Sequence, residues 1–453
     1  MSSHGDQTTG DGTPTGPRDP GYDPAAEVVE TCRDLIRMDT SNYGDADGPG
    51  ERKAAEHVAA LLDEVGISSQ LVEAEPGRTS LIAHWGGADR SRTDALLLHG
   101  HLDVVPAEAA DWQVDPFSGE VQDGYVWGRG AVDMKDFDAM LLSVVRARAR
   151  AGAVPDRPVV LAFTADEEAG GHKGAEVLVR EHADQLEACT EAVGEVGGWS
   201  ATVRGRRVYL IEAAEKGMAW MRLTARGRAG HGSMMNHDNA VTDLAGAIAR
   251  IGSYEWPVRL TPAMQTLLAA VADLAGTEAT PANAESLVEE FGGAARMLGA
   301  VIRNTANPTM LSAGYKVNVV PQEATAHVDG RFLPGFEDEF FDTLAALCGD
   351  TVDIDFVSHQ KPWETPYEGA LVDAMGRSLL AEDPGALVAP YLMSGGTDAK
   401  HFTRLGMRSY GFAPLRLPDD LDFTALFHGI DERVPVDALE FGSRVLDRFL
   451  DEV

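Results

Sequence analysis

The sequence predicts an α/β protein: a mainly parallel sheet flanked by helices, interrupted by an inserted α+β unit. Three observations carry this. Short apolar runs, DALLLHG, RPVVLAFTADEE and TEAVGEVGG, alternate with helical patterns, as parallel strands joined by crossover helices do. Near residue 215 the texture changes to strict alternation in KGMAWMRLTARG, the mark of a half-exposed antiparallel strand. The length of 453 residues, with 44% hydrophobic and 24% charged residues, suits two globular domains.

The elements follow in order. Residues 1–24, rich in Gly, Pro, Thr and Asp, form an expected disordered tail. AAEVVETCRDLIRM shows helical spacing at Val28, Val29, Cys32, Leu35 and Ile36. ERKAAEHVAALLDEVG is a second helix, stopped by Gly66. DMKDFDAMLLSVVRARARAG lies between the first two strands, opened by acids and closed by Arg and Gly, as the helix dipole favours. In the alternating segment Ala219, Met221, Leu223 and Ala225 share one face, and Trp220, Arg222, Thr224 and Arg226 the other. NAVTDLAGAIARIG is an amphipathic helix through Val241, Leu244, Ile248 and Ile251, and YKVNVVPQEATAHVDGRFLPG returns to strand. The expected division is therefore 25–213 for the first part of the main domain, 214–334 for the insert, and 335–453 for the second part, resuming with DTLAALCG.

Composition excludes some functions. A net charge of −34 repels nucleic-acid phosphates and anionic membranes. No apolar run approaches the roughly 18 residues of a membrane span. Cys32, Cys189 and Cys348 are widely spaced and form no CxxC pair, so a reducing, cytoplasmic setting is the simplest fit. The N-terminus lacks the basic start and apolar stretch of a secretory signal.

Polar residues cluster where the strands end. Ligands of open parallel sheets bind beyond the carboxyl ends of the strands. The first strand ends at His99, His101 and Asp103, the second at Asp166, Glu167 and Glu168, the third at Glu195. Asp133 precedes a helix, and His428 stands before a turn in LFHGIDERVP. Each has a bland reading: Asp133 as a helix cap, the glutamate pair as a solvated loop, the histidines as core residues. As a set, His101, Asp133, Glu168, Glu195 and His428 are the nitrogen and oxygen donors that a dinuclear site requires. Glu167 would then be a free carboxylate able to act as general base, with Asp103 orienting the His101 imidazole.

GHLDVVP, WGRGAVDMK, ADEEAGG, GHGS, NVVP, SGGTDA and FHGIDE occur in that order over residues 25–453. Together they resemble the di-zinc amidohydrolase and peptidase family that includes aminoacylase, carboxypeptidase S, glutamate carboxypeptidase and succinyl-diaminopimelate desuccinylase. AEKGMAWMRLTARGRAGHGS and KVNVVPQEATAHVDGRFLPG look closest to the carboxypeptidase S and N-acyl-amino-acid hydrolase branch.

The resemblance implies a zinc exopeptidase-like sheet with a ferredoxin-like lid and dimerisation domain. It implies two Zn2+ per subunit, with Co2+ or Mn2+ as possible replacements, held by His101, Asp133, Glu168, Glu195 and His428, with the Asp133 carboxylate bridging and the Asp133-Met134 peptide bond cis. Glu167 would be the base, and His231 would stabilise the oxyanion in the partner subunit of a homodimer. Asn318, Arg331, Gly395 and Gly396 would hold a small substrate bearing a free carboxylate, hydrolysed at its amide bond. A dipeptidase or a biosynthetic deacylase uses the same chemistry; a non-catalytic metal-binding scaffold would not need Glu167. The chain departs from the pattern at GEVGGWS, where Val196 separates Glu195 from the glycines, and at GHGSMMNHDNA, where methionines replace a common proline. His99, His237 and His401 carry no assigned role beyond packing or surface positions.

Overall fold

The computed structural model describes residues 22–44, 48–86 and 94–453. A ten-stranded sheet forms the main body. Its centre is parallel: Val159–Thr164, Ala95–His101, Cys189–Gly194 and Arg408–Gly411 lie side by side. The hairpin Ser69–Glu75 and Arg78–Trp85 extends one edge antiparallel. At the other end Arg206–Glu215 pairs in parallel with Leu387–Met393.

Alternation along the central strands explains why both faces are covered. Leu96, Leu98, Leu161 and Phe163 face the large core beneath helices Val28–Ile36, Lys135–Arg150 and Val436–Glu452. Leu97, Val160 and Ala162 face a smaller core with Leu178 and Phe402. A strand buried on both faces reads as a continuous apolar run, as these do. Because the strands are parallel, their carboxyl ends meet at one rim.

A four-stranded antiparallel sheet forms the lid, in the order Thr305–Ala313, Glu323–Phe332, Gly217–Arg226, Val352–Gln360. Helices Ala240–Ser253 and Glu337–Cys348 cover one face, burying Met221, Leu223, Leu244, Ile251, Phe332, Phe340 and Leu344. The alternation of 217–226 holds, except that Met218 and Thr224, on the outer face, are buried too. In the helix the buried stripe runs through Ala240, Leu244, Ala247 and Ile251, and Val241 turns outward.

One boundary and the packing of one helix differ from expectation. DTLAALCG belongs to the lid, not to the resumed main domain: it is part of the helix Glu337–Cys348, whose Phe340, Leu344 and Cys348 fill the lid core. The sheet continues to Gln360, so the unit built on it runs past the boundary at 334. Inside the insert, helix Pro262–Ala275 leaves the lid and buries Met264, Leu267, Leu268 and Val271 in the main core against Leu387–Met393. The expected tail lies outside the described residues up to position 21, but Tyr22 and Pro24 are held: the Tyr22 hydroxyl donates to Asp447, and the Ser143 hydroxyl donates to the Pro24 carbonyl at 2.7 Å.

Candidate metal centre

The rim brings together His101, Asp133, Glu167, Glu168, Glu195 and His428. His101 closes its strand, Glu167 and Glu168 open a short turn after Thr164, and Glu195 follows Gly194. Gly100 permits close packing here, since a Cβ on it would meet the Asp138 carboxylate at 2.1 Å. Asp166, Val196 and His428 take left-handed backbone conformations with φ of 66°, 57° and 56°. Such conformations cost of order 1–3 kcal/mol and cluster at functional sites. Val196 takes a conformation that a glycine adopts without strain and a β-branched residue rarely does; its carbonyl accepts the Tyr391 hydroxyl.

Asp133 stands at the centre. Its Oδ1 lies 3.1 Å from His101 Nε2, and its Oδ2 lies 3.2 Å from His428 Nε2. Glu195 is 3.5 Å from the same His101 nitrogen, and Glu168 is 3.0 Å from the same His428 nitrogen. Two ligands bound tetrahedrally at 2.0–2.1 Å stand about 3.3 Å apart. The donors therefore fall into two sets, His101–Glu195 and His428–Glu168, with one oxygen of Asp133 facing each. Glu168 also keeps a buried Oε1 with no hydrogen-bond partner among the described residues. The residues fit a pair of cations bridged by Asp133, and the Asp133-Met134 bond is cis.

The electrostatics agree. Burial pushes the Glu168 carboxyl up to about 8 and the Glu195 carboxyl well above the usual range. Burial would also raise Asp133, but hydrogen bonds from His101 and His428 outweigh it and hold Asp133 low. Hydrogen bonds to Asp133 and Glu168 raise His428 to about 10. Crowded buried carboxylates of this kind call for positive charge, which divalent ions supply.

Asp103 acts differently from expectation. His101 Nδ1 donates to the Asp103 backbone carbonyl at 2.9 Å, while the carboxylate stands 3.6 Å away. The carboxylate instead accepts the Glu167 and Glu168 backbone N–H groups, both at 3.1 Å, so it fixes the glutamate pair. Behind it Asn42 donates to Asp103 at 2.8 Å and to Asp166 at 3.2 Å, and Arg78 donates to Asn42 at 2.7 Å.

A cavity of about 930 Å3 opens over the cluster, between rim and lid. Arg331, Gly395 and Gly396 line it, with Met218, Trp220 and Arg296. The Arg331 guanidinium is engaged: it forks Asp329 through Nε at 2.7 Å and Nη2 at 3.2 Å. His231 and Asn318 do not line the cavity of their own chain. They are exposed on a small ribbon where Gly230–His231 pairs with Val319–Val320, and the Gly232 N–H donates to the Asn318 carbonyl at 2.9 Å. His99 packs against Phe402, with ring centroids 4.8 Å apart, and burial drives its pKa down to about 3. His401 is buried and bonds the Gly170 carbonyl, and His237 is exposed.

Besides Asn42 and Arg78, two more residues escaped the sequence reading. Glu432 is buried and accepts Arg129 Nη1 at 2.6 Å, with the N–H groups of Gly130, Val132 and Asp133 at 3.1, 2.7 and 3.2 Å. It anchors the loop that presents Asp133. Lys400 lies 3.7 Å from Glu167. Both stand inside or directly after recognised segments, FHGIDE and SGGTDA, which was the available signal.

The model of peptidase family M20/M25/M40 matches residues 97–452. The chain belongs to this family. It is 27% identical over 447 residues to the N-fatty-acyl-amino acid synthase/hydrolase PM20D1 of Xenopus tropicalis, covering 91% of this chain and 83% of that protein. It is 28% identical over 395 residues to aminoacylase-1 of Sus scrofa, covering 83% and 84%. The M20 family metallo-carboxypeptidase Sso-CP2 from Sulfolobus solfataricus superposes with a TM-score of 0.69 at 18% identity, covering 94% of this chain and 99% of that one. This M20 chain is thus a family hydrolase with a mixed α/β fold and a candidate metal site on its sheet rim.

Proposed function

We propose that the protein hydrolyses the amide bond of N-acyl amino acids or short peptides that carry a free carboxylate, with two zinc ions held at the rim. The observation that carries this is Asp133 set between His101 and His428, each histidine paired with its own glutamate, and Glu167 grouped beside His101 and Glu195. The names of the two curated relatives support acyl-amino-acid substrates. Cobalt or manganese suits the same nitrogen and oxygen donors.

Bound metal would acidify water and polarise the scissile carbonyl. The chain supplies the rest. Glu167 takes the proton from the attacking water and returns it to the leaving amine. Burial holds the Glu167 carboxyl above its ordinary value, which makes it a better proton acceptor. Arg331 and the backbone at Gly395 and Gly396 receive the substrate carboxylate, with Asp329 holding the guanidinium plane.

His231 and Asn318 act in a second subunit. Their exposed ribbon adjoins the edge strand Thr305–Ala313, whose Met310 and Leu311 are exposed along with Tyr315 and Val317. An exposed apolar edge strand is suited to pairing with its copy in a two-fold dimer. The three buried free thiols fit a reducing compartment. No helix among the described residues is long and apolar enough to cross a membrane.

The test is hydrolysis of a panel of N-acyl amino acids and dipeptides by metal-restored protein, with and without chelator. Chelator-sensitive release of amino acid from acyl substrates is expected. Activity on dipeptides alone would move the assignment to a dipeptidase, and no hydrolysis of any substrate would refute it.

A further inference from the structure

The cations around the cavity differ in how they are engaged. Arg331 forks Asp329, and His428 faces Asp133 and Glu168. Lys400 is different. Its side chain is 9% exposed, it lines the cavity, and its ammonium makes no hydrogen bond among the described residues. Its ion-pair partner is Glu167 Oε1 at 3.7 Å. The relation is reciprocal: the Glu167 carboxylate accepts no hydrogen bond among the described residues, and Lys400 is the cation beside it.

Both groups are set rigidly. The Glu167 backbone is tied to Asp103. Lys400 stands on a turn whose Thr397 N–H donates to Glu215 at 3.0 Å, whose Ala399 N–H donates to Thr397 Oγ1 at 3.1 Å, and whose Asp398 accepts Thr164 Oγ1 at 2.6 Å. The Asp398 bond attaches this turn to the strand that leads into Glu167. A buried ammonium is costly unless it is paired, and its surroundings hold it where the base needs a counter-charge.

We propose that Lys400 is the positioning residue of the general base: its ammonium holds the Glu167 carboxylate in place between His101 and Glu195, facing the attacking water. This rests on the hydrolase reading above. Lys400 is not a metal donor, and it acts through Glu167 rather than on the substrate.

The test compares Lys400→Met and Lys400→Arg with wild type, with zinc restored, on N-acetyl-methionine and a dipeptide. In Lys400→Met, kcat should fall about 100-fold, part of the 10²–10⁴ that a general base contributes. KM should change by less than about threefold, the signature of a lost transition-state interaction. Lys400→Arg should recover most of kcat, and both variants should bind the wild-type amount of zinc. A crystal structure of Lys400→Met should show the Glu167 carboxylate displaced from its place beside His101 and Glu195. If the methionine variant does not fold, Lys400→Gln takes its place with the same expectations. An unmoved carboxylate, an unchanged kcat, or a loss confined to KM overturns the proposal. If wild type hydrolyses nothing, the functional reading fails, and the crystal structure still decides whether Lys400 positions Glu167.

Discussion

Glu432 offers a sharp test of how the metal centre is built, because it touches the loop of Asp133 and not the cavity. Its Oε1 accepts the Val132 and Asp133 N–H groups, and its Oε2 accepts Arg129 and the Gly130 N–H. Glu432→Gln keeps the shape and one accepting oxygen. The new amide NH2 would then face a guanidinium and a backbone N–H, all donors. The Arg129 side chain is 4% exposed, so its charge is left buried without a counter-ion. Losing one partner of a buried pair costs about 3–5 kcal/mol. Part of this is relieved if the amide turns or admits water, so a destabilisation of about 2–4 kcal/mol is expected. The loosened loop should also weaken metal binding by about 10–100-fold, as loss of a partner behind a ligand does. Urea unfolding gives the first quantity, and competition with a chromophoric chelator gives the second. A Glu432→Gln protein with wild-type zinc affinity and a stability change under about 0.5 kcal/mol would refute the assignment of Glu432 as the anchor of the Asp133 loop.

Other predictions follow from the same geometry. Glu167→Gln should keep the wild-type metal content and lose kcat by at least about 10³-fold, measured by steady-state kinetics beside elemental analysis. Arg331→Ala should raise KM for carboxylate-bearing substrates about 10–100-fold, the worth of one charged hydrogen bond, and leave amidated substrates unaffected. His401 should add an acid-sensitive term to stability. Burial, then the charge of Lys400, lowers its pKa from 6.5 to about 4, so between these values the unfolded chain binds a proton that the native one does not. Stability is therefore lost as pH falls through that window, by about 2 kcal/mol between pH 6.5 and 5, and His401→Gln should flatten the slope seen in urea midpoints. Removing zinc should lower the melting temperature, and readdition should restore it with the logarithm of free zinc, with about 2.7 kcal/mol gained at 100 times Kd.

Much of the main sheet could be read from the sequence because burial on both faces leaves a plain trace. The runs ALLL, VVLAF and AVG are apolar, and each is followed within a few residues by His, Asp or Glu, so both the strand and its polar end are visible. The lid was harder to bound. Its first strand declares itself by alternation, but DTLAALCG carries the same apolar spacing whichever core it fills. Periodicity reports that a face is buried, not what buries it. The same ambiguity hid the excursion of Pro262–Ala275 onto the main core. Strand Val352–Gln360 has an irregular burial pattern at the sheet edge, with Phe356 and Val357 both exposed, and gives no clean period of two.

The site divides along a similar line. The candidate metal donors were legible because their residue types are restricted: His101, Asp133, Glu168, Glu195 and His428 are the nitrogen and oxygen donors such a site would take. Residues that hold those donors are not restricted in this way. Glu432, Lys400, Asn42 and Arg78 would look at home on any surface, and their roles come from burial, which the sequence does not mark. Asp103 shows the consequence. Its place two residues after His101 suggested that its carboxylate orients the imidazole, yet the chain turn presents the backbone carbonyl to His101 and frees the carboxylate for the glutamate pair. One residue thereby meets His101 on the first strand and the glutamate pair after the second. That coupling explains how a rim assembled from separate strands can hold its donors at spacings suited to bound metal, and it makes the loops, rather than the strands, the part of the fold that decides whether the cluster works.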